Sequence, residues 1–130
     1  MCRESRHVLV YGTLRQGCDN DITRLSPAPR YVGNSVISGL MYHLGAYPGV
    51  VLTDDASQTI IGEVYAIEPA LEHVLDEIEM IYPQQHDEYV KRNVVLKLGA
   101  QQLSCLVYEI NPAYTQGKPV VASGDWVKDR

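Results

Sequence analysis

Phenylalanine is absent from this 130-residue chain, while tyrosine occurs nine times and tryptophan once. Almost every aromatic ring therefore carries a polar group that needs a hydrogen-bond partner once buried, which points to a polar-lined interior or cleft. Basic residues are scarce as well. Eleven Lys+Arg stand against 16 Asp+Glu, a formal net charge of -5. With no basic run, a nucleic-acid partner held by phosphate neutralisation is not expected. Long apolar runs are missing too. Stretches such as Val8-Leu9-Val10-Tyr11 and Leu106-Val107-Tyr108 fall far short of the ~18 residues that span a bilayer, so no membrane partner is expected either. The start, MCRESRHVLVYG, has no apolar core behind its charges, which argues against a secretory signal. The three cysteines, Cys2, Cys18 and Cys105, are odd in number and scattered. That disfavours a disulfide framework or a Cys-based zinc site and suggests a cytoplasmic location.

What is present has the size of one domain, residues 1–130, by the usual length prior. No repeat, low-complexity tract or linker divides it. A first strand is predicted over His7–Tyr11, ended by Gly12. Asn20 or Asp21 is placed to cap a short helical turn through Leu25, ended by Pro27 and Pro29. Tyr31–Leu44 is long and β-rich, with Gly33 and Gly39 marking a bend or bulge. The segment from Gly45 to Gly49 has turn composition, followed by short strands at Val50–Leu52 and Thr59–Ile67. The pattern then changes. Leu71, Val74, Leu75 and Ile78 follow the i, i+3, i+4, i+7 template, and Pro69 suits a first helical turn. An amphipathic helix is predicted from Pro69 to about Met80, stopped by Pro83. Two further strands, Tyr89–Leu98 and Gln102–Ile110, flank a Gly99–Gln101 turn. The tail reads as irregular, with a short strand possible at Val120-Val121. This sum is an α+β fold whose sheet can close into a barrel.

Two places in this frame carry chemistry. Tyr11-Gly12-Thr13-Leu14-Arg15-Gln16-Gly17 follows the first strand directly. A strand running into Gly-Thr with a second Gly close behind leaves several N–H groups to form an anion-binding concavity, although a plain turn is the simpler reading. It is neither a Walker A loop nor a dinucleotide fingerprint. The helix carries Glu72, Asp76, Glu77 and Glu79. Rotation by 100° per residue sets Glu72 and Glu79 on one edge of the apolar arc, where a half-buried carboxylate acquires a raised pKa and can serve as a base. Geometry alone does not choose between them, nor separate them from ordinary exposed acids. The four histidines, His7, His43, His73 and His86, lack metal-site spacing, so no metal is expected. Cys18 has no nucleophile signature around it. Ser123-Gly124-Asp125-Trp126 reads as a turn in which the lone tryptophan pins the tail.

Taken in order, these residues resemble the gamma-glutamylcyclotransferase-like family. The resemblance rests on Tyr11-Gly12-Thr13-Leu14-Arg15, the turn Tyr47-Pro48-Gly49, Gly62-Glu63-Val64-Tyr65, Leu75-Asp76-x-x-Glu79 followed by Tyr89, then Tyr108 and Ser123-Gly124-Asp125-Trp126. It covers nearly the whole chain. Lys91 stands where the family tends to have Arg, and Met80 where Gly is frequent. The resemblance implies a compact mixed β-barrel with flanking helices, cavity at one end. It implies Glu79, rather than Glu72, as the general acid/base. It also implies that the Tyr11–Leu14 loop binds a gamma-glutamyl group, with Tyr47, Tyr89 and Tyr108 lining the cavity and Arg15 available to neutralise a carboxylate. The reaction so implied closes the gamma-glutamyl unit to 5-oxoproline and releases an amine, a transferase- or lyase-type step on a small molecule without a cofactor. The competing function is a non-catalytic module holding a carboxylate or amino acid in the same cavity. A third is an enzyme acting on a gamma-glutamyl group carried by a larger molecule, which needs a wide cavity mouth.

Overall fold

The computed structural model describes residues 6–12, 14–17, 21–44, 48–54, 58–78 and 89–129. Of the expected site, Thr13, Tyr47 and Glu79 lie outside the described residues, as do Cys2 and Cys18. Six strands, β1 (Arg6–Val10), β2 (Arg30–His43), β3 (Pro48–Leu52), β4 (Thr59–Ile67), β5 (Tyr89–Leu98) and β6 (Gln101–Ile110), form one sheet in the order β3-β2-β4-β1-β6-β5. All neighbours are antiparallel except β1 and β6, which run parallel through His7–Cys105 and Val8–Leu106. Between β4 and β5 comes the main helix, α1 (Pro69–Ile78), and the chain closes on a short helix, α2 (Trp126–Asp129).

The sheet curls because β2 serves two partners. Its first part pairs with β4 from Arg30 to Ser38, and its second part pairs with β3 from Gly39 to His43. A register shift between Tyr31 and Gly33 adds the bulge expected of a glycine-bearing strand. The result is a half-barrel, with one helix as its main cover. Across the seam, Ser35 Oγ donates to the Lys97 carbonyl oxygen at 2.9 Å. The seam also holds a half-open groove of about 610 Å³, reached by Ser38, Thr53, Asp54 and Val95. None of the candidate site residues lines that groove.

Strict alternation along the central strands feeds two cores, one on each face of the sheet. Leu9, Tyr11, Ile60, Val64, Cys105 and Val107 pack inside the curl with Met41 and Trp126. Val8, Val10, Tyr65, Ile67, Leu106 and Tyr108 face the other way and pack beneath Leu71 and Leu75 of α1. These two leucines are fully buried, which confirms the apolar stripe read from their spacing. The helix starts where Pro69 needs no donor, and the Leu71 and Glu72 N–H groups donate to the Glu68 carbonyl.

Two expectations are corrected. Pro48 and Gly49 belong to β3 rather than to the preceding turn. As the first residue of an edge strand, Pro48 has no ladder donor to lose. The tail is more ordered than its composition indicates. It straps back across the sheet: the Val121 N–H donates to the Met41 carbonyl and the Ile61 N–H to the Gly124 carbonyl, both at 2.8 Å. The expected short strand reduces to a single bridge between Val120 and Tyr42. Gly124 is held at φ +68°, where a Cβ would lie 2.1 Å from the Thr59 oxygen. Trp126 is buried and its ring packs against His43, centroids 4.9 Å apart and planes tilted by 55°, so it does pin the tail.

Candidate functional site

Built from β1 outward, the site begins where Tyr11 and Gly12 leave the sheet. Gly12 lies so close to β3 that a Cβ there would sit 2.6 Å from Pro48 Cγ. No other residue type allows the loop this approach. From Gly12 the chain turns tightly. Arg15 N–H donates to the Gly12 carbonyl (3.0 Å), Gln16 N–H to Glu63 Oε1 (2.9 Å) and Gly17 N–H to Asp21 Oδ2 (2.7 Å). The concavity expected over the whole stretch is thus already filled at its far end by the protein's own carboxylates. Unpaired donors in a half-buried loop are costly, and Glu63 and Asp21 supply the missing acceptors. The amides of Gly12 and Leu14 have no such partner among the described residues.

Asp21 does more than cap. It accepts from the Thr23 N–H and hydroxyl as well as from Gly17, at the start of the 3-10 turn Ile22–Arg24. Burial raises its pKa, but these donors outweigh burial and hold the carboxyl below its ordinary value. Leu14 is buried in the core under α1, and its carbonyl accepts from the Ile22 N–H. The loop is therefore pinned on both sides.

Arg15 is not an exposed cation. Its side chain is 8% exposed, with Nε 3.0 Å from Glu63 Oε2 and Nη1 2.8 Å from Asp125 Oδ1. Burial alone would favour the neutral form, yet the two carboxylates dominate and the guanidinium stays charged, its pKa above the usual value. Glu63 also accepts from the Tyr65 hydroxyl at 2.9 Å. Tyr65 is 1% exposed, and burial with the adjacent carboxylate pushes its phenol up.

The tyrosines at the other side of Gly12 are held in two separate places. Tyr11 Oη donates to the Tyr108 carbonyl oxygen at 2.6 Å. Tyr108 Oη donates to Asp76 Oδ1 on α1 at 2.8 Å. Tyr89 Oη donates to the Pro48 carbonyl at 2.8 Å. Asp76 Oδ2 lies 3.1 Å from Lys91 Nζ, which also meets Glu72 Oε2 at 2.6 Å. Here too burial works against the ammonium and the paired carboxylates prevail, raising its pKa. Lys91 thus ties α1 to β5. Glu72 has a second cation, Arg6, at 3.1 Å. Glu72 is thus held in two ion pairs. The structure brings together Tyr11, Gly12, Leu14, Arg15, Tyr89 and Tyr108. Sequence reasoning missed Glu63, Asp125 and Asp76 as partners, since their contacts span 32 to 110 residues. No group of three or more His, Cys, Asp or Glu among the described residues could hold a metal ion, and no helix among them is long and apolar enough to cross a membrane.

A curled mixed half-barrel with a glycine-threonine loop after its first strand, an acidic helix across the sheet and tyrosines between the two defines a recognisable class. The chain belongs to the family of gamma-glutamyl cyclotransferases, AIG2-like, whose sequence pattern matches residues 8–128. A protein of Vibrio cholerae provisionally named gamma-glutamylcyclotransferase is 33% identical over 82 residues, 57% of this chain and 59% of that protein. The alignment thus spans about three-fifths of that relative. Among solved structures, an AIG2-like protein from Mus musculus superposes with a TM-score of 0.78 at 18% identity, covering 98% of this chain and 92% of the other. Bacillus subtilis YkqA gives 0.74 at 25% identity, covering 96% of this chain but 40% of YkqA.

Proposed function

We propose that this protein is a cyclotransferase that converts a gamma-glutamyl amine or amino acid to 5-oxoproline and the free amine, with Glu79 as general acid/base. The observation that carries this reading is a pair of contacts on either side of Gly12: Tyr11 bonds to Tyr108, which bonds on to Asp76 of α1, and Tyr89 bonds to Pro48, the residue that packs against Gly12. The family's opening loop, its turn and its acidic helix thereby meet at one end of the half-barrel.

The chemistry asks little of the protein beyond position and one proton carrier. The α-ammonium of the glutamyl unit gives a proton to the Glu79 carboxylate, and the freed amine attacks the γ-carbonyl carbon. The carbonyl oxygen gains charge and is met by N–H donors of the Gly12–Leu14 stretch, including Thr13. As the bond from carbon to the leaving nitrogen breaks, Glu79 returns its proton to that nitrogen, and the second proton of the attacking nitrogen passes to the released amine, which departs as an ammonium. Five-membered ring closure yields 5-oxoproline. The nucleophile is tethered, and holding it in a ring-closing pose accounts for ~7–11 kcal/mol of barrier. Tyr11, Tyr47, Tyr89 and Tyr108 wall the glutamyl group. Arg15 contributes by fixing the loop. A soluble cytoplasmic setting and a small-molecule substrate accord with this reading.

The test is 5-oxoproline release over a panel of gamma-glutamyl compounds. Wild type should release it from at least one compound, and Glu79→Gln should lose turnover while keeping fold and binding. Binding without turnover across the panel would instead make this a ligand-binding protein. Equal turnover by Glu79→Gln would remove Glu79 from the mechanism.

A further inference from the structure

We infer that Asp125 and Glu63 are positioning residues for the glutamyl-binding loop, acting through Arg15, so that the carboxyl-terminal segment sets the geometry of a loop 110 residues earlier in the chain. This rests on the proposed cyclotransferase reading for its kinetic consequence, but not for its structural one.

The argument is geometric. The guanidinium is held at two different edges, Nε by Glu63 and Nη1 by Asp125. One contact would leave it free to swing, whereas two from separate segments fix its place and its plane. Each segment is independently anchored. Glu63 sits in β4 opposite Val10 of β1, so it shares the framework on which the loop begins. Asp125 is gripped on both sides, by Gly124 against Thr59 and by buried Trp126. Its own N–H donates to Ser123 Oγ at 3.1 Å. Glu63 then reaches past the side chain to the loop backbone through the Gln16 N–H. A buried ion group is a poor source of net stability, and its best-attested use is to specify one arrangement. Here the arrangement specified is that of the peptide groups from Gly12 to Gln16.

The experiment compares wild type with Asp125→Ala, Asp125→Asn and Asp125→Glu, by steady-state kinetics and by amide hydrogen exchange on the full chain. Asp125→Ala should lower kcat/KM for the gamma-glutamyl substrate about tenfold, through a higher KM and a lower kcat together, because the same loop binds the glutamyl group and meets the developing oxyanion. Exchange should quicken in the peptide covering residues 11–17 and stay unchanged in the β5–β6 hairpin. Asp125→Glu should recover most of the loss, and Asp125→Asn part of it, since the amide keeps an acceptor but no charge. An unchanged kcat/KM with unchanged loop exchange would overturn the inference. So would exchange that quickens equally throughout the chain, since that marks a merely structural residue. If wild type turns over no gamma-glutamyl compound, the cyclotransferase reading fails, and the exchange arm still decides whether the tail holds the loop.

Discussion

Removing the Glu63 carboxylate tests the energetics of the loop most directly. Glu63 is 8% exposed and accepts three hydrogen bonds, from Arg15 Nε, the Gln16 N–H and the Tyr65 hydroxyl. In Glu63→Ala all three donors lose their acceptor at once. Breaking a buried ion pair from one side costs about 3–5 kcal/mol, and each neutral donor left unpaired adds about 1–3 kcal/mol. Two features soften this. Asp125 still holds Arg15, and water can reach a void so near the surface. A net loss of about 3–5 kcal/mol follows. For a chain of this size that lowers Tm by roughly 10–20 °C. Glu63→Gln keeps one oxygen for Gln16 and Tyr65 but turns an N–H toward Arg15, and should lose about half as much. The assay is thermal and urea unfolding of wild type, both variants, and Arg15→Met alone and combined with Glu63→Ala. The double variant should be less destabilised than the two single effects added, because removing Arg15 takes away the stranded charge. A Glu63→Ala Tm within a few degrees of wild type, or strict additivity in the cycle, would refute the description of this cluster as a coupled buried network.

Other consequences follow from the same contacts. Gly12→Ala should destabilise by about 1–3 kcal/mol through overlap with the Pro48 ring 2.6 Å away, read by urea unfolding, and should weaken substrate binding at the same time. Tyr108→Phe removes the hydroxyl that Asp76 accepts; about 0.5–1.5 kcal/mol of stability should go with it, and turnover should fall as α1 loses its tether to β6. Stability should also fall at alkaline pH. Tyr65, Lys91 and Cys105 all bind their protons more tightly folded than unfolded, so their contribution is whole below the unfolded pKa and is lost as pH rises through the folded one. Cys105, pushed from 9.0 up to about 11 by burial, opens that window near pH 9. Asp21 has the opposite sign, and its contribution disappears as pH falls below about 4. Urea midpoints measured from pH 3 to 11 should form a plateau with both shoulders, and a midpoint still rising at pH 10–11 would contradict the alkaline assignments.

Periodicity carried most of the fold. Thr59–Ile67 and Tyr89–Leu98 end where β4 and β5 end, because breakers flank them; β4 is buried on both faces, whereas β5 is an edge strand with mostly exposed side chains. The α1 stripe was equally legible, since Leu71 and Leu75 have one place to go. What composition hid was the tail. Gly117, Pro119 and Gly124 argue against regular structure, yet the segment is ordered by long-range bonds to Met41, His43 and Ile61. Local sequence says nothing about those partners. The site divides the same way. Tyr11, Gly12, Tyr89 and Tyr108 could be named from motif, whereas Asp125 in a Ser-Gly-Asp-Trp turn and Glu63 in a β-rich strand have no local mark of their role. The same limit hides the buried hydroxyl of Tyr65. A tyrosine in a strand usually sends its hydroxyl outward, unless a carboxylate two residues away shares its face, as Glu63 does.

The loop's chemistry for itself and its chemistry for a substrate are the same chemistry. Gln16 and Gly17 already present their N–H groups to carboxylates, those of Glu63 and Asp21. This shows that backbone after β1 can satisfy an anion, but it also restricts where a second anion can bind. On the proposed reading an incoming oxyanion or carboxylate would use the amides nearer the strand. Their flanking residues are closely held, with Pro48 against Gly12, Leu14 buried under α1, and Tyr11 bonded to β6. Donors fixed in this way need little reorganisation when charge develops, which is the condition for electrostatic stabilisation of a transition state. The internal carboxylates therefore serve as struts. They occupy the Gln16–Gly17 end of the loop, so that on the proposed reading the Gly12 end, beside the tyrosines, is where the reacting group would bind.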